Sequence, residues 1–374
     1  MIPLLNLALA LILVILLEPL VTYFRDKKHL RQFPNQNCLS GITNLGYILE
    51  RCGGFRSKNL HQVHLKHPIV RIGPTSLSFS TPGAIRDIYG HSTACIKGDT
   101  YLVSSGPHAH VLDVVDKGEH ARKRRYMSNV FASRNLETWE YKVVDKIERF
   151  ASTAGGVLDF RKWSNLFTVE AIVDIAVSRR LGCLENGSDT VANPAPNGGK
   201  KSISYIGSLH ADRRATTSWR RGRDFDGLLK YMAQEKIRQH NRGDDLDDLV
   251  RCMLQDNRGI ARDLHAGEVE AELSVLMNAG SDTKAIALTN VMYHLIKFPS
   301  ALDCLRKELD MVLSNTADRL VTYAQVKNLP YLRACLDESL RLSPPVAFGL
   351  NRKTPSEGII IDGNWLPGGV TVGA

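Results

Sequence analysis

Apolar residues return at intervals near 3.6 over residues 119–131, 137–151, 163–180, 225–241, 245–255, 267–297, 299–313 and 330–342, and each stretch is expected to form an amphipathic helix. Period-two alternation is confined to two places. HPIVRIGPTSLSFS, residues 67–80, predicts a β-hairpin that turns at Gly73-Pro74. Near the other end, Gly358 to Asp362 is a β-branched run, Asp362-Gly363-Asn364 a turn, and Trp365 to Val372 an extended segment around Pro367-Gly368-Gly369. Glu185 to Lys201, rich in Gly, Asn, Ser and Pro, is expected to be a mobile loop. The fold class that follows is mainly α with a small β region, and no repeat of 20–50 residues is visible.

The first residues break this pattern. IPLLNLALALILVILL, residues 2–17, carries no charge, and apolar character resumes after Glu18-Pro19 as far as Phe24. A bilayer-spanning helix takes roughly 20 apolar residues, so residues 1–24 are expected to be a single membrane anchor. A cleaved signal peptide fits less well, because no basic residue precedes the apolar run and no A-x-A site follows. Arg25, Lys27, Lys28 and Arg31 then place the body on the cytosolic side. The expected organisation is an anchor at 1–24, a linker at 25–41 and one domain, expected to be incomplete, at 42–374.

Composition narrows the picture only slightly. With 43% hydrophobic and 23% charged residues the chain is an ordinary globular one, not a disordered or collagen-like one. The net charge of +9 is too modest to imply nucleic acid by itself. Seven cysteines, an odd number without a C-x-x-C pair, suit a reducing compartment.

Three segments carry candidate chemistry. ELSVLMNAGSDTKAIALTNVMYHLIKFP, residues 272–299, places Gly280 and the pair Asp282-Thr283 in the middle of a helical pattern. Glycine costs about 1 kcal/mol relative to alanine in a helix, and threonine can bond back to a carbonyl one turn earlier, so the helix is expected to be distorted there. Such a spot allows close approach to a flat ligand with a hydroxyl and a carboxylate at hand; a glycine at a close helix crossing is the plainer reading. In YLRACLDESLRLSPPVAFGLNRKTP, residues 331–355, Glu338 and Arg341 are spaced for a two-bond ion pair, Val346 to Leu350 is apolar, and Arg352 precedes a strand. Glu119 with Arg122 and Glu235 with Arg238 share the E-x-x-R spacing, so context must separate them. KGEHARKRRYMSNVF, residues 117–131, sets His120 and Arg124 one turn apart inside a basic cluster, which is either a solvated face or a site for carboxylates. His61, His64 and His67 read as solvated histidines rather than as a metal site.

In their order and spacing these segments resemble the cytochrome P-450 family of haem-thiolate monooxygenases, in particular its membrane-anchored fungal members. Ala279-Gly280-Ser281-Asp282-Thr283 is similar to the family's A/G-G-x-D/E-T motif. The resemblance implies that Thr283 donates a hydrogen bond to oxygen at the haem, that Asp282 helps deliver protons, and that Ala279 and Gly280 border the cofactor. Glu338 and Arg341 resemble the family's structural E-x-x-R pair. His120 and Arg124 resemble its W/H-x-x-x-R pattern for the haem propionates, with Arg352 near another propionate arginine, while Val346, Ala347, Phe348 and part of 101–115 would line the substrate pocket. Implied partners are haem iron, O2, an NADPH-dependent reductase, an apolar small molecule of fungal secondary metabolism and the endoplasmic reticulum membrane, without nucleic acid.

The sequence departs from the family pattern in three ways. The proline-rich hinge is reduced to Phe33-Pro34-Asn35, and Lys284 stands where a small or hydroxylated residue is usual. The F-x-x-G-x-R-x-C-x-G loop that carries the axial thiolate does not occur before Ala374, and the last cysteine, Cys335, lies on the helix of Glu338. Thiolate ligation drives O–O cleavage, so a catalytically inactive, anchored binding protein is the alternative to an active monooxygenase. A basic nucleic-acid-binding helical protein rests only on clusters such as Arg220, Arg221 and Arg223.

Overall fold

The computed structural model describes residues 14, 17–54, 56–152, 157–194, 199–212, 219–256, 258–314, 320–347 and 349–374. Most of the expected anchor lies outside them, as does Phe348. Among the described residues no helix is long and apolar enough to cross a membrane. The chain divides into two units, one of residues up to 104 with 113–119 and 347–374, the other of 105–112 and 120–346.

The first unit is built on a five-stranded sheet. β1 (Ile69–Gly73) and β2 (Ser76–Phe79) form the expected hairpin, with Ile69 opposite Phe79 and a bulge between Arg71 and Gly73. β3 (Ile96–Lys97) follows. After β4 (Thr190–Pro194) and β5 (Lys200–Ser204) of the second unit come β6 (Arg352–Lys353), β7 (Ile359–Ile361), β8 (Asn364–Leu366) and β9 (Thr371–Gly373). The sheet order is β1-β2-β9-β6-β3, parallel only between β2 and β9. β7 and β8 are a separate hairpin whose two-residue loop, Asp362-Gly363, has positive φ at both positions, as a type I′ turn requires. Helix α1 (Pro82–Tyr89) starts where the Thr81 hydroxyl accepts from the Ala84 amide and Pro82 supplies a pre-set φ. It buries Ala84 and Ile88 against Leu30, Leu77, Phe79, Ile361 and Val372. Part of the expected linker belongs to this unit, since the Arg71 amide donates to the Pro34 carbonyl at 2.7 Å and the Gln36 amide to that of Arg71 at 2.9 Å.

The second unit is helical. Its labelled helices are α2 (Lys117–Val130, from His120 on), α3 (Glu140–Ser152), α4 (Phe160–Val177), α5 (Tyr205–Asp212), α6 (Trp219–Asn241), α7 (Leu249–Leu254), α8 (Ala266–Lys297), α9 (Pro299–Leu313) and α10 (Pro330–Leu342). Pro299 and Pro330 stand in the first turns of α9 and α10, where a missing amide proton costs nothing. Leu166, Val169, Val173 and Ala176 recur on one face of α4 and are buried with Leu273, Leu276 and Met277 of α8, which forms the centre of the core.

Three expectations are corrected. The stretch 185–201 is not simply a loop: its β4 pairs with β5, and Val191 and Ile203, buried opposite each other, give the hairpin an apolar side. The helix expected at 137–151 is interrupted at Trp139, whose buried indole donates to Asp247 at 2.8 Å and separates the short helix Ser133–Thr138 from α3. The distortion expected at Gly280 does not occur, because α8 runs unbroken through it.

Candidate functional site

Helix α8 stays regular because its unusual residues find partners. A Cβ built on Gly280 would lie 2.7 Å from Cγ1 and Cδ1 of Ile172, so glycine lets α4 pass close to α8. The Ser281 hydroxyl donates to the Met277 carbonyl at 2.8 Å and that of Thr283 to Ala279 at 2.6 Å, one turn back in each case. Gly280 therefore faces a neighbouring helix, whereas Ala279 and Ile286 are exposed and Thr283 is half-buried. These positions, at i, i+4 and i+7, form an open strip of small and apolar groups. Asp282 is buried on another side, where both carboxylate oxygens lie 3.0 Å from Nε2 of His210 on α5.

Helix α2 is pinned to the first turns of α8. Lys123, fully buried, places its ammonium 3.1 Å from Glu268 and 3.2 Å from Glu272. Glu272 also accepts from the Tyr126 hydroxyl at 3.0 Å and the Val111 amide at 3.1 Å, and Arg122 pairs with Glu268 from the rim. Burial, together with the adjacent Glu272 carboxylate, pushes the Tyr126 phenol well above its usual range. Burial would raise the pKa of Glu268 as well, but Lys123 and Arg122 outweigh it and hold the group below the carboxylate norm. His120, half-buried, and Arg124, exposed, sit at neighbouring positions of the same helix.

At the other end of α8, Asn290 donates to the Ser343 carbonyl at 2.8 Å and His294 Nε2 lies 3.1 Å from the Ser343 hydroxyl, which docks the end of α10. On α10, Arg341 meets Glu338 through two 2.7 Å hydrogen bonds, Nε to Oε2 and Nη2 to Oε1. The competing E-x-x-R matches are used otherwise, since Arg122 reaches Glu268 and Glu235 faces Arg179. Val346 is exposed. In the first unit, the Ala347 carbonyl accepts from the Ser57 hydroxyl at 2.5 Å, and the Arg352 guanidinium lies 5.3 Å over the Tyr89 ring and 3.5 Å from the Tyr101 hydroxyl.

Sequence reasoning missed His210, Glu268 and Glu272. Two carboxylates at i, i+4 in an apolar helix, together with a dense basic run elsewhere, were a signal for the Lys123 cluster. Nothing local marks His210.

A flat anionic cofactor with an apolar macrocycle fits the second unit in part. The open Ala279-Thr283-Ile286 strip suits the face of a macrocycle, and His120 and Arg124 are donors suited to its carboxylates. An axial thiolate is not offered by this unit's cysteines. Cys183 is buried beside Glu170, Cys252 accepts from Asn135, and Cys304 and Cys335 neighbour Tyr331.

A long helix bearing A-G-S-D-T, a second helix docked on it that carries E-x-x-R, and a small mixed sheet are the elements that the resemblance to the haem-thiolate family leads one to expect. The cytochrome P-450 family model matches residues 38–374, and the chain belongs to that family. It is 32% identical over 366 residues to the cytochrome P-450 monooxygenase FCK2 of Fusarium pseudograminearum, covering 92% of this chain and 63% of that protein. It is 28% identical to the cytochrome P-450 monooxygenase notG' of Aspergillus versicolor, with 84% of this chain and 59% of that protein covered. Tryprostatin B 6-hydroxylase of Aspergillus fumigatus is likewise 28% identical, over 88% of this chain and 59% of its own length. The chain thus spans about three fifths of the length of these curated relatives.

Proposed function

We propose that the protein is a haem-dependent monooxygenase that inserts one oxygen atom from O2 into an apolar small molecule of fungal secondary metabolism, with electrons from an NADPH-dependent reductase. The observation that carries this reading is the division of labour on α8: Ala279 and Thr283 on an open strip, the Asp282 carboxylate buried behind it. Haem, when bound, supplies the activation of O2. In the second unit His120 and Arg124 would hold the propionates, Ala279 would leave room for the ring, the Thr283 hydroxyl would donate a hydrogen bond on the oxygen side, and Asp282 would hold the proton to be delivered; in the first unit Arg352 is a further candidate for a propionate. Val346 and Ala347 contribute apolar surface to the substrate. Fungal relatives named as a tryprostatin B 6-hydroxylase and a benzoate 4-monooxygenase support hydroxylation as the reaction type. The uncharged run at 2–17 and the basic residues after it support a single-pass anchor in the endoplasmic reticulum with the body in the cytosol.

Replacing Thr283 by Ala tests the assignment. Product formed per O2 consumed is expected to fall while substrate affinity holds. Unchanged coupling overturns the role given to Thr283.

A further inference from the structure

We propose that His210 is a positioning and proton-relay residue that connects Asp282 to solvent, a role that rests on the reading of Asp282 as the proton-holding carboxylate. A carboxylate is an acceptor only, so the 3.0 Å contacts to both oxygens of Asp282 require the proton of His210 to be on Nε2. The two groups differ in access. The Asp282 side chain is 11% exposed and that of His210 is 46% exposed, so the imidazole reaches water where the carboxylate does not.

The water it reaches is in a cleft of about 420 Å³ lined in part by Lys162, Asn165, Ser188, Asp189, Ser204 and His210. Its walls are fixed. Asp189 accepts from the Ser204 hydroxyl at 2.5 Å and the Ile206 amide at 2.9 Å, which ties the turn before β4 to the start of α5. The titratable groups around the pair are thus Lys162 from α4, Asp189 from the turn and Tyr205 from α5 itself. Lysine or arginine at 210 could also pair with Asp282, but neither readily gives up its proton at neutral pH. Imidazole does.

The transfer balances simply. Nδ1 takes a proton from a hydronium ion in the cleft, which leaves as water, to form the imidazolium, and the Nε2 proton then passes to an Asp282 oxygen. A neutral ring and a protonated carboxyl remain, with one proton moved inward.

Two measurements decide it. In the histidine-selective 15N spectrum of the chain without haem, Asp282→Asn is expected to shift the His210 Nε2–H signal, and an unmoved signal overturns the pairing. In the holoenzyme, His210→Gln, which keeps a donor near the carboxylate, is expected to lower turnover about tenfold or more and to raise the solvent isotope effect. His210→Arg is expected to do the same, with substrate affinity and the carbon monoxide spectrum unchanged in both. Turnover and isotope effect like the unsubstituted enzyme in both variants overturn the relay and leave the monooxygenase reading intact. Absence of oxygenated product from the unsubstituted holoenzyme overturns that reading and the relay with it, while the 15N result still decides the contact.

Discussion

Lys123→Met probes the buried cluster that holds α2 on α8. The substitution roughly preserves side-chain volume but removes an ammonium 3.1 Å from Glu268 and 3.2 Å from Glu272. Glu268 keeps Arg122 at the rim. Glu272, 1% exposed, keeps only neutral donors among its described partners, the Tyr126 hydroxyl and the Val111 amide. Removing one partner of a buried pair costs about 3–5 kcal/mol, and the two retained hydrogen bonds place this case near about 3 kcal/mol. For a domain of this size that is a loss of roughly 6–12 °C in melting temperature. Lys123→Met combined with Glu272→Gln removes both charges while the amide oxygen still accepts from Tyr126 or Val111. It is expected to recover about 2 kcal/mol of the loss, which thermal melts and urea midpoints of the four-member cycle will measure. A single variant within about 1 kcal/mol of the parent, or a double variant as unstable as the sum of the singles, refutes the reasoning.

Other outcomes follow from the same contacts. Glu170→Ala leaves the amides of Leu181, Gly182 and Cys183, now 2.7–3.2 Å from its carboxylate, without their acceptor and is expected to cost about 2–3 kcal/mol in a urea titration. Gly280→Val forces β-branched bulk into Ile172 and is expected to destabilise by about 1–3 kcal/mol, whereas Gly280→Ala gains about 1 kcal/mol of helix propensity against the same 2.7 Å clash and changes far less. Glu268 titrates below its unfolded value, because Lys123 and Arg122 outweigh its burial. Its contribution is therefore present above the ordinary carboxylate pKa and lost as pH falls through the depressed one, which acid melts of the parent and of Lys123→Met will resolve.

The sequence makes the long helices legible because burial and period coincide in them. Residues 299–313 and 330–342 carry apolar spacing plus a proline that fixes the first turn, and both bounds agree with the structure. Where tertiary contacts decide, local pattern misleads. Gly280 and Thr283 look like a break in α8, yet Ile172 fills the space at the glycine and the threonine bonds back within the helix. Polar residues around 185–201 hide the single apolar pair, Val191 and Ile203, that seats a hairpin. The two-bond Glu338–Arg341 pair is readable from its i, i+3 spacing only with the context of the helix end and apolar run that follow it, whereas His210 meets Asp282 across 72 residues and leaves no local trace.

The most direct test of the monooxygenase reading is haem content together with the ferrous carbon monoxide difference spectrum of the purified protein. The account predicts stoichiometric haem. A product that folds but binds no haem contradicts it.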